Sequence, residues 1–146
     1  MMKDNAHTTS RIADCRLIKL DKHHHENGNL TVVDNQDSVP FRVKRVFYIY
    51  DVPGGAERGG HSHHACSALL VAVSGCFDVE VDDGVERQVF TLNRSNVGLY
   101  VPPGIWNSLS NFSSGSVCLA LASDLFDEAD YVRDYDVFKQ LTSCKR

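Results

Sequence analysis

At 146 residues, the chain has the size of one domain and can close a single apolar core without disulfides or metals. Its net charge of -4 argues against nucleic acid or an anionic membrane as the main partner, because both require a basic surface. Five cysteines without a CxxC spacing indicate neither a disulfide framework nor a zinc ribbon. Since no apolar leader and no apolar run of about eighteen residues is present, we expect a cytoplasmic protein with reduced thiols.

The N-terminal quarter carries weak strand signals. Residues 1–10 are polar and without periodicity, so we expect a frayed end. The run at 15–20 (CRLIKL) predicts a short strand, and residues 30–33 predict its hairpin partner. Between them lie His23, His24 and His25. We interpret them as part of a solvated turn, although a histidine run of this kind could also chelate a metal.

A strong strand signal follows at residues 41–50 (FRVKRVFYIY), which are rich in β-branched and aromatic side chains. Alternation divides this strand into two faces. One face carries Phe41, Val43, Arg45, Phe47 and Ile49, and the other carries Arg42, Lys44, Val46, Tyr48 and Tyr50. The hydroxyls and cations of the second face suit either the wall of a polar pocket or the outer surface of a barrel, and the sequence leaves both open.

A histidine cluster at residues 58–64 (RGGHSHH) is the main candidate for chemistry. In a strand, His61 and His63 share one face, about 6–7 Å apart along the backbone, while Ser62 and His64 point the other way. Neutral imidazole offers a lone pair and titrates near pH 7, so the pair can bind a metal or move protons. The alternative is a structural remnant whose two rings are only hydrogen-bonded.

The rest of the chain predicts strands connected by short turns, at 67–73, 76–81, 85–92, 97–101, from residue 105, and at 117–122. Because no helices intervene, we predict an all-β sandwich or barrel in one domain spanning 1–146. Tyr135, Phe138 and Leu141 recur at helical spacing behind Asp134, a candidate N-cap, and predict a short C-terminal helix. The aspartates around it, Asp130 included, are interpreted as a solvated face or a helix start.

The glycine and histidine spacings resemble the cupin superfamily. The first cupin motif, G(X)5HXH(X)3,4E(X)6G, is similar to the stretch from Gly55 through the histidine pair to Gly75, and the second, PXG(X)2H(X)3N, to residues 102–111. Ala68 stands where a metal cupin has its glutamate, and Asn107 where it has its third histidine. Because a first-row metal ordinarily takes at least three protein ligands, we expect neither a metal nor another cofactor.

A more specific resemblance extends over most of the chain. Segments 44–52, 58–64, 73–84, 97–107 and 111–138 occur in the order found in the dTDP-4-keto-6-deoxyhexose 3,4-ketoisomerases of deoxyamino sugar pathways. The GLYVPPGIW turn and the DEADYVRDYD tail are its most specific parts. The resemblance implies a cupin jelly-roll barrel, a metal-free homodimer whose N-terminal segment crosses to the partner, and a dTDP-sugar substrate.

The implied reaction moves a ketone from C4 to C3 of dTDP-4-keto-6-deoxyglucose by way of an enediol. The resemblance implies that His61 takes the C3 proton, that His63 shuttles a proton between the oxygens or orients the ring, and that Tyr48 donates. It also implies that Arg58 holds the pyrophosphate, whose oxygens a guanidinium can bind in bidentate fashion. Further candidates for substrate binding are Arg45, Lys44, Tyr50, Trp106 and Asn107. Trp106 could instead belong to the core.

Two alternatives to this function are kept. A nucleotide-sugar 3,5-epimerase also abstracts a proton beside the same ketone, but its product keeps the ketone at C4. A non-catalytic sugar-binding cupin would use the histidines only to hydrogen-bond its ligand.

Overall fold

Antiparallel β-strands form most of the fold, which is known from a computed structural model that describes residues 7–35 and 37–143. The strands are β1 (Arg16–Lys19), β2 (Asp21–His25), β3 (Gly28–Val32), β4 (Arg45–Ile49), β5 (Arg58–His63), β6 (Ala68–Ser74), β7 (Phe77–Asp82), β8 (Arg87–Leu92), β9 (Val97–Val101), β10 (Trp106–Ser110), β11 (Val117–Ala122) and β12 (Tyr131–Val132). Short 3-10 helices span Ile12–Asp14 and Glu128–Asp130, and the helix α1 spans Tyr135–Ser143.

These strands are arranged in two five-stranded sheets and one hairpin. The first sheet has the order β1-β9-β6-β11-β4, the second the order β12-β5-β10-β7-β8, and β2 pairs with β3. All the ladders are antiparallel. The predicted all-β architecture with a short C-terminal helix is therefore confirmed.

The main core lies between the two sheets. In β7, the alternate residues Phe77, Val79 and Val81 point inward and are at most 1% exposed, as the period of a half-buried strand requires. A second apolar cluster lies on the opposite face of the first sheet, where Leu69 and Val71 pack beneath the segment that precedes β4. The first sheet is thus covered on both faces.

The helix α1 packs on the outside of the second sheet. The Oδ1 atom of Asp134 accepts hydrogen bonds from the backbone N–H groups of Asp136 (2.8 Å) and Val137 (3.2 Å), so the predicted N-cap is confirmed. Phe138 is fully buried and its ring lies 5.6 Å from that of Trp106. No helix within the described residues is long and apolar enough to cross a bilayer.

The predicted N-terminal hairpin is wrong. β1 pairs with β9 of the first sheet, and β3 pairs with β2 instead. The chain bends at Leu20, which is 4% exposed in the second apolar cluster and donates its N–H to the carbonyl of Asn96 at 2.7 Å. The histidine run His23–His25 consequently lies in an exposed strand and not in a turn.

Two further boundaries differ from the prediction. The strand expected at 41–50 is reduced to β4, because Phe41 and Val43 pack into the second apolar cluster and do not join the ladder. The expected frayed end is wrong for residues 7–10, since the Thr8 N–H donates to the carbonyl of His64 at 2.9 Å and Ser10 is buried. Residues 1–6, the rest of that prediction, lie outside the described residues.

Candidate active site

A cavity of about 490 Å³ opens between β4, β5, β9 and β10 at one end of the two sheets. This volume lies in the range of small-molecule sites. Its apolar walls include Leu70, Ile105 and Leu109, while polar groups converge from β5 and from the C-terminal segment. The cavity therefore combines apolar walls with a small set of groups that can form hydrogen bonds or exchange protons.

The two motif histidines face this cavity. His61 and His63 lie on one side of β5 with ring centroids 5.0 Å apart and planes almost perpendicular, while Ser62 points away and is fully buried. Gly59, with φ of 83°, allows the close approach of β10, because a Cβ there would lie 3.1 Å from the carbonyl oxygen of Asn107. The geometry predicted from strand alternation is thus present.

His63 forms a hydrogen-bonded pair with Asp130. The Nδ1–H of His63 donates to Oδ2 of Asp130 at 3.0 Å, an assignment that follows because an ionised carboxylate can only accept. The carboxylate also accepts from the backbone N–H groups of Ala65 (2.8 Å) and Cys66 (3.2 Å). Burial alone would raise the pKa of Asp130, but the hydrogen bonds with His63 and Ala65 lower it, so the carboxylate is ionised. With its Nδ1 proton fixed, His63 presents Nε2 as a proton acceptor.

The interpretation of Asp130 as part of a solvated face is wrong. It is 9% exposed, because the 3-10 turn at Glu128–Asp130 directs it toward β5 and the following β12 pairs with His63 and Ser62. The aspartate-rich composition of the tail concealed this position. The pairing of a tail carboxylate with a motif histidine is a tertiary contact over 67 residues, which no local pattern encodes.

His61 is held in its neutral form. Its pKa is lowered to about 4, chiefly by burial and then by electrostatic interaction with His63 and Arg133, which Glu128 partly opposes. At neutral pH, His61 therefore carries a free lone pair. Once protonated, it is more acidic than an ordinary imidazolium and readily returns its proton.

Tyr131 and Arg133 close the side of the cavity and were not identified from the sequence. The Tyr131 ring lies 4.3 Å from the His63 ring and 5.0 Å from the His61 ring. The Arg133 guanidinium stacks over Tyr131 at 4.3 Å and binds both carboxylate oxygens of Glu128, at 2.7 and 3.0 Å. The DEADYVRDYD tail of the family resemblance was the available signal for these residues.

Three of the predicted substrate-binding residues lie at or near the histidine pair. Arg58 lines the exposed rim of the cavity, and Asn107 lines its interior, is 8% exposed and donates from Nδ2 to the His61 carbonyl at 3.4 Å. Arg45 lies on the inner face of β4, where its positive charge helps to lower the pKa of His61. Its Nε is buried and has no hydrogen-bond partner in the described part of the chain.

The other four predicted residues are not brought to the pair. Lys44, Tyr48 and Tyr50 lie on the outer face, because the inward positions of β4 belong to Phe47 and Ile49. Tyr48 borders the cavity but is 61% exposed, and its ring contacts that of Tyr50 at 5.6 Å. In the single protomer this face is exposed, and Tyr48 stands at the border of the cavity, so both interpretations of the face stay predictions. Trp106 packs on α1, against the rings of Tyr135 and Phe138.

The donor set of a metal cupin is incomplete here. Ala68 and Asn107 both line the cavity beside the two histidines, at the positions where the resemblance places a glutamate and a third histidine. A different group of three donors, from His63, Cys66 and Asp130, does converge, with its ligand atoms within 4.8 Å of one another. The two sets share only His63.

Comparison with known proteins gives one consistent result. A family model described as FdtA, WxcM-like, C-terminal, matches residues 13–143. A curated relative, the TDP-4-oxo-6-deoxy-alpha-D-glucose-3,4-oxoisomerase of Aneurinibacillus thermoaerophilus, is 41% identical over 125 residues, which cover 86% of this chain and 90% of the relative. The range matched by the family model includes the histidine motif and the tail.

Solved structures agree with these matches. A mutant of the 3,4-ketoisomerase QdtA from Thermoanaerobacterium thermosaccharolyticum, in complex with TDP-4-keto-6-deoxyglucose, superposes with a TM-score of 0.90 at 32% identity, covering 92% of this chain and 98% of that one. The dTDP-4-dehydrorhamnose 3,5-epimerase of Bacillus anthracis superposes with a TM-score of 0.73 at 14% identity, covering 84% and 79%, and shares only the cupin fold. The predicted cupin barrel is confirmed, and the chain belongs to the FdtA (WxcM-like, C-terminal) family of dTDP-4-keto-6-deoxyhexose 3,4-ketoisomerases.

Proposed function

We propose that the protein converts TDP-4-keto-6-deoxyglucose to its 3-keto isomer. The observation that carries the proposal is a neutral, largely buried His61 beside the hydrogen-bonded pair of His63 and Asp130, facing one cavity. The curated relative with 41% identity bears the name of the same reaction, and the superposed QdtA structure holds the same sugar nucleotide.

The first step is removal of the proton at C3, which the adjacent C4 ketone acidifies. His61 is the base, because its lowered pKa leaves the ring neutral and its lone pair available. The electron pair of the C3–H bond forms the C3–C4 double bond, and the C4 oxygen gains the negative charge. The cations near the pair, Arg45 and Arg133, favour that charge, since a cavity with apolar walls screens it poorly.

The second step moves a proton from the C3 oxygen to the C4 oxygen. His63 is suited to this shuttle because Asp130 holds its Nδ1 proton and leaves Nε2 to accept and release another. The proton on His61 then returns to C4, and the C3 oxygen becomes the ketone. Every proton that leaves the sugar is thus returned to it, with no net oxidation.

Arg58 and Asn107 are proposed to bind the substrate. Arg58 lies at the exposed rim, where a guanidinium can hold a pyrophosphate in bidentate fashion, and Asn107 presents an amide inside the cavity. The roles proposed from resemblance for Lys44, Tyr50 and Trp106 have no support from their positions in a single protomer, and Tyr48 only borders the cavity. We therefore propose Tyr131, whose ring touches both histidine rings, as the hydroxyl donor to the enediol oxygens.

Proton NMR of TDP-4-keto-6-deoxyglucose incubated with the protein in deuterated water tests the function. We expect a 3-keto product, with a deuterium content at C4 that reports how far protonated His61 exchanges with solvent. A product that keeps the ketone at C4 would identify a 3,5-epimerase. An unchanged substrate spectrum, with the sugar nucleotide bound, would contradict catalysis and favour a binding protein.

We also propose that the reaction needs no metal, and an assay with a strong chelator tests this. Activity should be unchanged, because the proposed steps use only imidazole, carboxylate and hydroxyl groups of the chain. Loss of activity that added iron or zinc restores would contradict the metal-free mechanism.

The proposed assembly is a cytoplasmic homodimer in which N-terminal segments cross between protomers. Exposed apolar side chains on the outer face of β4 support an interface there: Val46 is 57% exposed, Tyr48 61% and Tyr50 59%. Cys15, Cys66, Cys76 and Cys118 are free thiols, as a reducing compartment would leave them.

A further inference from the structure

Three different metal-ligating groups meet at the base of the cavity, next to the proposed proton shuttle. The chain leaves β5 after His63 and turns so that Cys66 comes back to the carboxylate of Asp130. A ring nitrogen of His63, the Sγ of Cys66 and a carboxylate oxygen of Asp130 all lie within 4.8 Å of one another, and the ring nitrogen that faces Asp130 is Nδ1, at 3.0 Å from Oδ2. None of the three residues is more than partly exposed, and both His63 and Cys66 line the cavity.

This donor set has the chemistry of a zinc site. Zinc binds thiolate, imidazole and carboxylate, and open zinc sites have three protein ligands with water in the fourth position. With bonds of about 2.0–2.3 Å, the ligand atoms of a tetrahedral zinc are roughly 3.3–3.8 Å apart. The group at 4.8 Å or less is therefore within about 1 Å of that geometry, a distance that rotation of the Cys66 side chain can supply.

Hydrogen bonds around Asp130 also resemble those that orient the ligands of a metal site. The backbone N–H of Ala65 donates to Oδ1 of Asp130 at 2.8 Å, and that of Cys66 donates to Oδ2, so the carboxylate is held in place from behind. Such outer hydrogen bonds orient metal-binding carboxylates and strengthen binding. The Cys66 thiol donates to the Ser67 carbonyl at 3.4 Å, a weak hydrogen bond that a metal–thiolate bond can replace.

We propose that His63, Cys66 and Asp130 form an inhibitory site for zinc or a similar divalent transition metal. Binding at Nδ1 of His63 replaces the proton given to Asp130 and shifts the neutral imidazole to the tautomer with hydrogen on Nε2. The Nε2 lone pair that accepts the proton from the C3 oxygen is then lost. The Cys66 thiol releases one proton as it becomes a thiolate, so binding weakens as the pH falls.

Cobalt(II) added to the chelator-treated protein tests the site directly, since a cobalt–thiolate bond gives a charge-transfer absorption band. We expect one equivalent to produce this band in the wild type, and Cys66→Ser to abolish it and weaken zinc binding at least tenfold. Cys76→Ser is the matched control and should keep the band, because Cys76 lies outside the group. A triple variant with His23→Asn, His24→Asn and His25→Asn should also keep the band. This result would show that the exposed histidine run is not the cobalt-binding site.

A wild-type protein without the band, or with zinc affinity equal to that of Cys66→Ser, would overturn the site. Inhibition rests on the proposed function and is measured separately, as the ratio of isomerase rates with and without zinc. We expect this ratio to fall in the wild type and to stay near one in Cys66→Ser. A cobalt band in a protein without isomerase activity would support the metal site and contradict the proposed function. Equal inhibition of the wild type and Cys66→Ser by zinc would contradict the inhibitory role of the site.

Discussion

At the scale of single residues, the site depends on two histidines that differ in their environment. His61 is desolvated and neutral, whereas His63 is tied to an ionised carboxylate. The two histidines lie two positions apart on one strand, and their environments suit them to different proposed roles, His61 as the base and His63 as the proton shuttle. The difference comes from burial, from Asp130 and Arg133, and from the interaction of the two rings with each other.

Replacing Asp130 by Asn should lower kcat by about 100-fold or more, because the amide no longer fixes the Nδ1–H tautomer of His63. The fold should persist, since an amide oxygen can still accept from the Ala65 N–H. Asp136→Asn, at an exposed position on α1, is the control and should keep the wild-type rate. Steady-state kinetics beside circular dichroism provide the measurement, and a kcat within twofold of wild type in Asp130→Asn would contradict the shuttle.

Phenylalanine substitutions at Tyr131 and Tyr48 distinguish the two candidate hydroxyl donors. We expect Tyr131→Phe to lower kcat at least tenfold, because it removes the hydroxyl proposed as donor while keeping the ring that contacts both histidines. Tyr48→Phe should change kcat less than twofold, since its side chain is 61% exposed on the outer face. A larger loss of kcat in Tyr48→Phe than in Tyr131→Phe would identify Tyr48 as the hydroxyl donor, as the family resemblance implies, and would contradict the assignment of Tyr131.

The burial of neutral His61 should make stability depend on pH. Its pKa falls from 6.5 to about 4 on folding, so the unfolded chain binds a proton that the folded chain does not between these values. Stability should therefore decrease as the pH falls from 7 to 4, by up to about 3 kcal/mol from this residue. Urea unfolding of wild type and His61→Asn at both pH values measures the effect. The same change in unfolding free energy between the two pH values in wild type and His61→Asn would contradict this contribution of His61. The control is His23→Asn, on the exposed strand β2, which should show the pH dependence of the wild type.

At the scale of elements, each functional group is placed by a strand pairing. β5 is held between β10, which brings Asn107 opposite His61, and β12, which brings Tyr131 opposite His63. The tail thus completes the site as a two-residue strand at the edge of the second sheet. α1 packs behind that sheet and fixes the end of the same segment.

The alternation of apolar residues predicted the strands that bury one face, and with them the positions of His61 and His63. It failed at β1, because alternation predicts that a strand forms there but not which strand it pairs with; β1 pairs with β9, and Leu20 beyond it is buried. It could not predict Asp130, because nothing in a polar tail distinguishes a carboxylate that reaches a histidine from one in solvent. Partners of this kind are fixed by tertiary packing.

Truncating Phe138 to Ala should destabilise the protein by about 3–5 kcal/mol, because this fully buried ring joins α1 to Trp106 on β10. Its neighbour Val137, which is 44% exposed, provides the control, and Val137→Ala should cost about 0.5 kcal/mol or less. Thermal or urea unfolding gives both values. A similar loss of unfolding free energy in the two variants would mean that α1 does not pack on the second sheet as described.

At the scale of the whole molecule, the proposed active site lies in the cavity beside β5, while the exposed apolar side chains of β4 lie on the outer face of an edge strand. Exposed edge strands with apolar side chains tend to pair with another chain, and a barrel sheet that ends in β4 has such an edge. A second copy of this chain is the occupant that the family resemblance implies. The outer tyrosines of β4 would then be buried without entering the cavity.

Replacing Val46 by Glu should convert the proposed dimer to a monomer, because the substitution places a charge in the centre of the apolar face of β4, where Val46 is 57% exposed. Val85→Glu is the matched control: Val85 is 69% exposed in the turn between β7 and β8, on the other sheet, and its substitution should leave the dimer intact. Size-exclusion chromatography with light scattering measures the mass of both variants and of the wild type. A monomeric wild type would contradict the dimer, and a Val46→Glu protein that remains dimeric would place its interface on another surface of the barrel.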